Sequence, residues 1–182
     1  MRISSKLLDK LFENSLDAYL KTDISSLLSG VSERNTCGRL AVHLDRERER
    51  QGLSGYYVDP EYNRKQQGEI KTIINDQMVV IPITCDLIVH SRGEKIRQDN
   101  LIAIEVKKAT RPQHEKDSDR QRLEILTRRS FNGIWSNDGK THPEHVCGYR
   151  LGIYVEINLA ERELLLEYFK AGTCTKQSSR KF

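Results

Sequence analysis

The sequence contains no long apolar run, and none approaches the ~20 residues that a membrane-spanning helix needs. Its first residues, Met1 to Lys6, also lack the apolar stretch of a secretion signal. The four cysteines lie far apart without a CxxC pair, which favours free thiols over disulfides or a zinc site. Together these absences predict a cytoplasmic protein.

Two kinds of ligand motif are also missing. No GxGxxG follows a predicted strand, and neither GxxxxGKS nor GxxxxGKT occurs, which argues against a nucleotide cofactor. The segment His142-Pro-Glu-His145 resembles a metal-ligand cluster, but its proline blocks the helix that HExxH sites require. We therefore do not expect metal binding there.

What is present fits one soluble domain. The 182 residues are 31% charged and 37% hydrophobic, which is enough to bury a core beneath a heavily charged surface. The net charge of +4 permits binding to a polyanion without requiring it.

Hydrophobic periodicity predicts a series of elements. In chain order these are helices at 5–29 (with a break near 22–23) and 32–50, strands at 56–62 and 70–74, a hairpin over 79–107, a helix at 116–129, a turn-rich loop at 130–147, a strand at 149–158, a strand or short helix at 162–170, and a fraying tail at 175–182. Pro60 argues for an edge strand or a bulge in the first strand. The pattern is that of a mixed α/β sandwich with helices on a central sheet.

The hairpin carries the most informative residues. Asp86 lies in the first apolar run, and Glu105 and Lys107 end the second. Since paired strands lie ~5 Å apart and residues two positions apart share a face, Asp86, Glu105 and Lys107 are expected to converge. Two carboxylates near one strand pairing suit a hard divalent cation.

This set of groups predicts phosphodiester hydrolysis. Asp86, Glu105 and the Val106 carbonyl are the candidate ligands of Mg²⁺, which keeps several waters and needs few protein ligands. Lys107 is expected to orient the attacking water or stabilise the charged transition state; a role as general base is the less favoured alternative.

Asp86…Glu105-Val-Lys107, after a helix bearing Glu33, resembles the PD-(D/E)xK superfamily of restriction endonuclease-like nucleases. The likeness is to a bacterial subset, through the segments 32–36, 61–64 and 147–150. It implies an αβββαβ core over 32–158, in which a central mixed sheet is flanked by helices, with an extra N-terminal helix in 1–30. Cys85 stands where the superfamily motif names a proline.

The resemblance also implies a function. Asp86 and Glu105 match the metal carboxylates, Lys107 the catalytic lysine, and Glu33 a glutamate that contacts the metal or its water. The implied activity is a DNA endonuclease that uses Mg²⁺ or Mn²⁺, acting as a homodimer or as a subunit of a larger defence or recombination system.

Several further residues are candidates with a structural alternative. Lys108, Lys116, Arg122 and Arg64 are candidate phosphate contacts, although for Lys116 and Arg122 a solvated helix face is the alternative. Glu61 either faces the site or is an exposed strand residue, Arg39 is either near the site or in a structural salt bridge, and Trp135 either stacks on a base or anchors its loop. The alternative function is a nucleic-acid-binding or assembly module without hydrolysis, and a third is an oligomeric scaffold built on residues 1–30.

Overall fold

A computed structural model describes residues 3–64, 72–74, 79–82, 84–128, 130–131, 135–136 and 146–182, with side chains for all of these except 130–131 and 135–136. The chain is a mixed α/β protein in which helices flank a mostly antiparallel central sheet. None of the helices in these ranges is long and apolar enough to cross a membrane.

Three α-helices carry most of the helical structure in the described ranges. They are α1 (Ser5–Leu28), α2 (Glu33–Arg50) and α3 (Gln113–Thr127). The first two begin as their sequences predict, because Ser4 accepts a hydrogen bond from the Leu7 amide and Ser32 accepts one from the Asn35 amide. The expected break near Thr22 is wrong, since α1 is continuous: Thr22 donates back to the Ala18 carbonyl and remains in the helix.

The described strands form one large sheet and two small ones. In chain order they are β1 (Tyr57–Pro60), β2 (Thr72–Ile74), β3 (Val80–Pro82), β4 (Leu87–His90), β5 (Asn100–Lys108), β6 (Ser130–Phe131), β7 (Trp135–Ser136), β8 (Leu151–Asn158), β9 (Glu163–Lys170) and β10 (Thr173–Lys181), with a 3₁₀ turn at Ile96–Gln98. The six-stranded sheet has the order β1-β4-β5-β8-β9-β10, and β2-β3 and β6-β7 are separate pairs. Neighbours in the large sheet are antiparallel except β5 and β8, which are parallel and are joined through α3.

Apolar cores lie on both faces of the large sheet. On one face, Ile102, Ile104 and Val106 of β5 pack in the cluster that contains the apolar residues of α1 and α2. On the other face, Ala103 packs with Leu123 and Leu126 of α3. The alternation along β5 therefore places α1 and α2 on one side of the sheet and α3 on the other.

Several details of the predicted elements need correction. The run at 79–89 is not one strand, because β3 pairs with β2 while β4 pairs with β5. The segment predicted as a strand or a short helix at 162–170 is a strand, β9. The tail expected to fray is also a strand, β10, which pairs with β9. Pro60 does lie in an edge strand, as predicted. Most of the loop at 130–147, including the His142–His145 segment and the side chain of Trp135, falls outside the described residues.

Gly152 sets how closely α3 approaches the sheet. A Cβ at this position would lie 3.0 Å from Thr127 Cγ2 and 3.1 Å from Phe169 Cβ. We expect Gly152→Val to lower the free energy of unfolding by about 1–3 kcal/mol, because the added carbons overpack this contact.

Chemical denaturation monitored by circular dichroism measures this effect. Gly38→Ala is the matched control, since nothing lies within 4 Å of a Cβ built at Gly38 in α2 and alanine is the better helix former. An unchanged unfolding free energy for Gly152→Val would show that α3 can move away from β8 at little cost.

Candidate functional site

The antiparallel pairing of β4 with β5 brings Asp86 beside Glu105. Leu87 pairs with Ile104 in the antiparallel register. Asp86, at the bend just before β4, therefore lies opposite Glu105, which follows Ile104 in β5. The Val106 amide donates a 2.8 Å hydrogen bond to Asp86 Oδ2, which holds this carboxyl group beside β5. The pairing thus places Asp86 next to Glu105 and Val106.

Glu105 is almost fully enclosed, with 1% of its surface exposed. Arg122 Nε donates to Glu105 Oε1 at 2.6 Å, and the Cys85 thiol donates to the same oxygen at 3.3 Å. A buried carboxyl group needs such donors, since the water that would solvate it has been removed. Cys85, which departs from the superfamily motif, is therefore a hydrogen-bond partner of the site.

Lys107 shares the α3 face of the sheet with Glu105, as its position two residues further on predicts. Its Nζ lies 2.9 Å from Asp119 Oδ2. Asp119 is a buried residue of α3, and its other oxygen accepts from Arg122. Asp119 thus lies between Lys107 and Arg122, and Arg122 connects it to Glu105.

The electrostatics of this cluster reflect three carboxyl groups (Asp86, Glu105 and Asp119) facing two cationic groups (Lys107 and Arg122). Burial raises the pKa of Asp86, and the nearby Asp119 adds to that rise. Burial also raises the pKa of Glu105, and the charges of Asp86 and Asp119 add to this, although Arg122 opposes it. The carboxyl groups are therefore incompletely compensated by the cations around them.

The two cationic groups are held in their charged forms by the carboxyl groups around them. Burial alone would lower the pKa of Lys107, but its contact with Asp119 outweighs that effect, and the pKa is raised. Desolvation likewise opposes the charge on Arg122, whose pKa is nevertheless raised by Glu105 and Asp119. A lysine held in its charged form is suited to orienting water and stabilising anions rather than to accepting a proton.

Glu33, in the first turn of α2, lies where β5 ends. It accepts a 2.8 Å hydrogen bond from the Lys108 amide and two bonds of 3.1 Å from Arg111. Burial acts to raise the pKa of Glu33, but these donors and the charge of Lys107 lower it. Lys108 Nζ donates to the Gly30 carbonyl at 2.9 Å. The first turn of α2 is thereby fixed to the end of β5.

The other candidates separate into those near this cluster and those away from it. Lys116 is buried rather than on a solvated helix face, and its Nζ contacts the Ala109 carbonyl and Glu156. Arg122 contacts Glu105 and Asp119 rather than lying on a solvated helix face. Arg64 is exposed beyond β1, and Arg39 is in a structural salt bridge with Asp23.

Glu61 is exposed and close to Asp86 through the backbone. Its amide donates to the Asp86 carbonyl at 3.1 Å, while its carboxylate accepts two 2.7 Å hydrogen bonds from Arg34. Arg34 follows Glu33 in the first turn of α2, so it links this turn to the chain beside Asp86.

The donor set fits a hard divalent cation through two side chains. Asp86 and Glu105 offer oxygen ligands from the bend before β4 and from the neighbouring strand β5. Within the ranges given above, no group of three or more His, Cys, Asp or Glu side chains is arranged to hold a metal ion. A cation that keeps much of its water, as Mg²⁺ does, needs few protein ligands.

Sequence reasoning missed Asp119, Arg111 and Arg34. For Asp119 a signal existed, because it precedes Leu123 by four residues and Leu126 by seven, which places it on the buried face of α3. For Arg111 and Arg34 we find no such signal, since their partners Glu33 and Glu61 are far away in the chain.

Comparisons with protein-family models, with curated proteins and with solved structures give no match to this chain.

Proposed function

We propose that this chain is a metal-dependent nuclease that hydrolyses phosphodiester bonds, with DNA as the substrate. The observation that carries this proposal is the placement of Asp86 next to Glu105 and near Lys107, which follows from the β4–β5 register and from the hydrogen bond of the Val106 amide to Asp86. Hard oxygen ligands next to a fixed ammonium group provide what a phosphate and its attacking water require.

The order of elements supports a restriction endonuclease-like core. Along the chain, α2, β1, β4, β5, α3 and β8 follow the αβββαβ order, and their strands are adjacent in the sheet. On this interpretation α1, β9 and β10 are additions to the core, and the β2–β3 pair is an insertion before β4.

In the proposed reaction Asp86 and Glu105 hold Mg²⁺ or Mn²⁺, with the Val106 carbonyl as a further oxygen ligand. The cation supplies neutralisation of phosphate oxygens and a bound water of lowered pKa. Lys107, oriented by Asp119, stabilises negative charge on the phosphate as attack proceeds. Glu33 contributes from the edge of the site, through a water or by holding Arg111 and the Lys108 amide in place.

Exposed cations near this site are the proposed contacts to the DNA backbone. Lys108 ends β5 and Arg111 follows it, while Arg34 pairs with Glu61, whose amide donates to the Asp86 carbonyl. We propose these in place of Lys116 and Arg122, because the side chains of Lys116 and Arg122 are only 11% and 24% exposed, whereas that of Arg34 is 80% exposed. Arg64 remains a candidate beyond β1.

We expect Arg34→Ala to weaken DNA binding and to reduce the slope of log affinity against log salt by about 1, because one phosphate contact is lost. Fluorescence anisotropy with a duplex in EDTA measures binding without cleavage. Arg50→Ala is the matched control: its side chain is 78% exposed, against 80% for Arg34, and it lies on the same helix. The two positions are ~24 Å apart along α2. Equal loss in both variants would indicate a non-specific charge effect.

The activity is tested with supercoiled plasmid and with linear single- and double-stranded DNA, in Mg²⁺, Mn²⁺ or EDTA. Divalent-dependent nicking that is lost in Lys107→Ala supports the proposal. Binding of DNA with no cleavage in either Mg²⁺ or Mn²⁺ would contradict hydrolysis.

We further propose that double-strand cleavage uses two copies of the chain or a larger assembly, because one site cleaves one strand at a time.

One observation favours the second candidate, a nucleic-acid-binding module without hydrolysis. Glu105 is 1% exposed, and one of its oxygens already accepts from both Arg122 and Cys85. A carboxyl group satisfied in this way needs no metal ion for its stability. The two candidates differ in divalent-ion binding, which calorimetry measures directly on the purified protein.

A further inference from the structure

Arg122 connects the candidate metal site to α3. Its Nε donates to Glu105 at 2.6 Å, and its Nη2 donates to Asp119. The two contacts use different nitrogen atoms of the guanidinium group and different acceptors. One contact can therefore break while the other is kept.

Arg120 gives an internal comparison on the same helix. It donates to Glu167 of β9 at 2.8 Å and lies 3.6 Å from Glu156 of β8. Its side chain is 21% exposed, against 24% for Arg122. Both arginines thus pair with more than one carboxylate and link α3 to the sheet, and of the two only Arg122 has a candidate metal ligand among its partners.

We propose that Arg122 is a built-in competitor of the divalent cation for Glu105, and that Asp119 retains the guanidinium group when the cation binds. This inference rests on the proposed function, since it takes Asp86 and Glu105 as the cation ligands. It assigns Arg122 and Asp119 a role in setting how much divalent ion the site requires.

The physical basis is charge and geometry. An arginine stays protonated throughout the working pH range, so it brings a permanent positive charge to Glu105. A divalent cation at the same carboxyl group is repelled by that charge and must replace a short, charge-assisted hydrogen bond. Asp119 lowers the cost of that replacement, because it keeps a partner for the displaced group and Lys107 remains on its other oxygen.

The competition predicts that removing the guanidinium charge strengthens cation binding. We expect Arg122→Gln to bind Mn²⁺ at least about tenfold more tightly than the wild-type chain at constant pH, as measured by isothermal titration calorimetry. Arg120→Gln is expected to bind Mn²⁺ as the wild type does. Similar gains in both variants would overturn the inference, because the effect would then be one of net charge alone.

A second measurement uses the wild-type protein and does not depend on the stability of a variant. On titration with Mg²⁺, the Nε–Hε NMR resonance of Arg122 is expected to move while that of Arg120 does not. Binding of Mg²⁺ without movement of the Arg122 resonance would overturn the inference.

The outcomes also separate this inference from the proposed function. If the wild type binds Mn²⁺ and Arg122→Gln binds it equally or more weakly, the competition is wrong and the nuclease proposal stands. If neither protein binds Mn²⁺ or Mg²⁺, both the metal-dependent function and the competition fail.

Discussion

Replacement of Asp86 by asparagine is expected to reduce Mg²⁺-dependent cleavage of plasmid DNA by roughly 1,000-fold, the upper range for loss of one preorganised electrostatic group. Asparagine keeps the size of the side chain and can still accept from the Val106 amide, which donates to Asp86 Oδ2 at 2.8 Å. The substitution therefore removes the charge that would hold the cation with little change in packing. Initial rates of nicking, followed on agarose gels, provide the measurement.

Two comparisons make this prediction specific. Asp45→Asn removes an exposed carboxylate from α2 that pairs with Arg48, and it should leave the rate unchanged. Glu33→Gln should lower the rate more gently, by about 10–100-fold, as expected of a group that acts through water or through other ligands. Cleavage by Asp86→Asn within a few-fold of the wild type would place the active site elsewhere. Equal losses in the Asp86 and Glu33 variants would make Glu33 a direct ligand.

Asp119→Ala is expected to lower the free energy of unfolding by about 3–5 kcal/mol, as removal of one partner from a buried ionic network does. Lys107 and Arg122 would both lose an acceptor in a region from which water is largely excluded. Urea denaturation followed by circular dichroism measures the change.

Asp117→Ala is the control for this prediction, because it lies on the same helix and its side chain is exposed. We expect its effect to stay within about 0.5 kcal/mol, as for most surface substitutions. A similarly small effect for Asp119→Ala would show that Lys107 and Arg122 find water or other acceptors when Asp119 is removed.

The sequence was sufficient to predict the contact at the centre of the site. Two apolar runs around a polar turn indicate a hairpin, and the pairing of β4 with β5 brings Asp86 to Glu105. Lys107 follows from the two-residue period of a strand. These inferences depend only on residues close together in the chain, where the geometry of one element or one turn decides the outcome.

The partners of α3 could not be predicted in the same way. Lys116 contacts Glu156 of β8, and Arg120 contacts Glu167 of β9, so both cations are directed into the protein. Their spacing on the helix is equally compatible with a solvated face. The choice depends on where β8 and β9 lie in the sheet, which local periodicity does not determine.

The order of the carboxyl-terminal strand β10 likewise could not be predicted from its own residues. Its residues are small, polar or basic, and such a composition is typical of a frayed end. Pairing with β9 orders the strand, and acidic residues of α1 compensate the nearby basic ones: Lys170 contacts Asp9, Lys176 contacts Glu13, and Arg180 contacts Asp17. Helix α1 and the strands beyond β8 thus stabilise each other through residues more than 150 positions apart.

The candidate site draws on α2, on the bend before β4, on β5 and on α3, so no single helix or strand contains all of its charged groups. Catalytic competence should consequently be an all-or-none property of the folded molecule. If the chain unfolds in one cooperative step, a urea titration will give the same midpoint for DNA cleavage and for loss of helical signal. Cleavage that persists beyond the unfolding midpoint would point to a contaminating enzyme, and its earlier disappearance to local opening around Asp86.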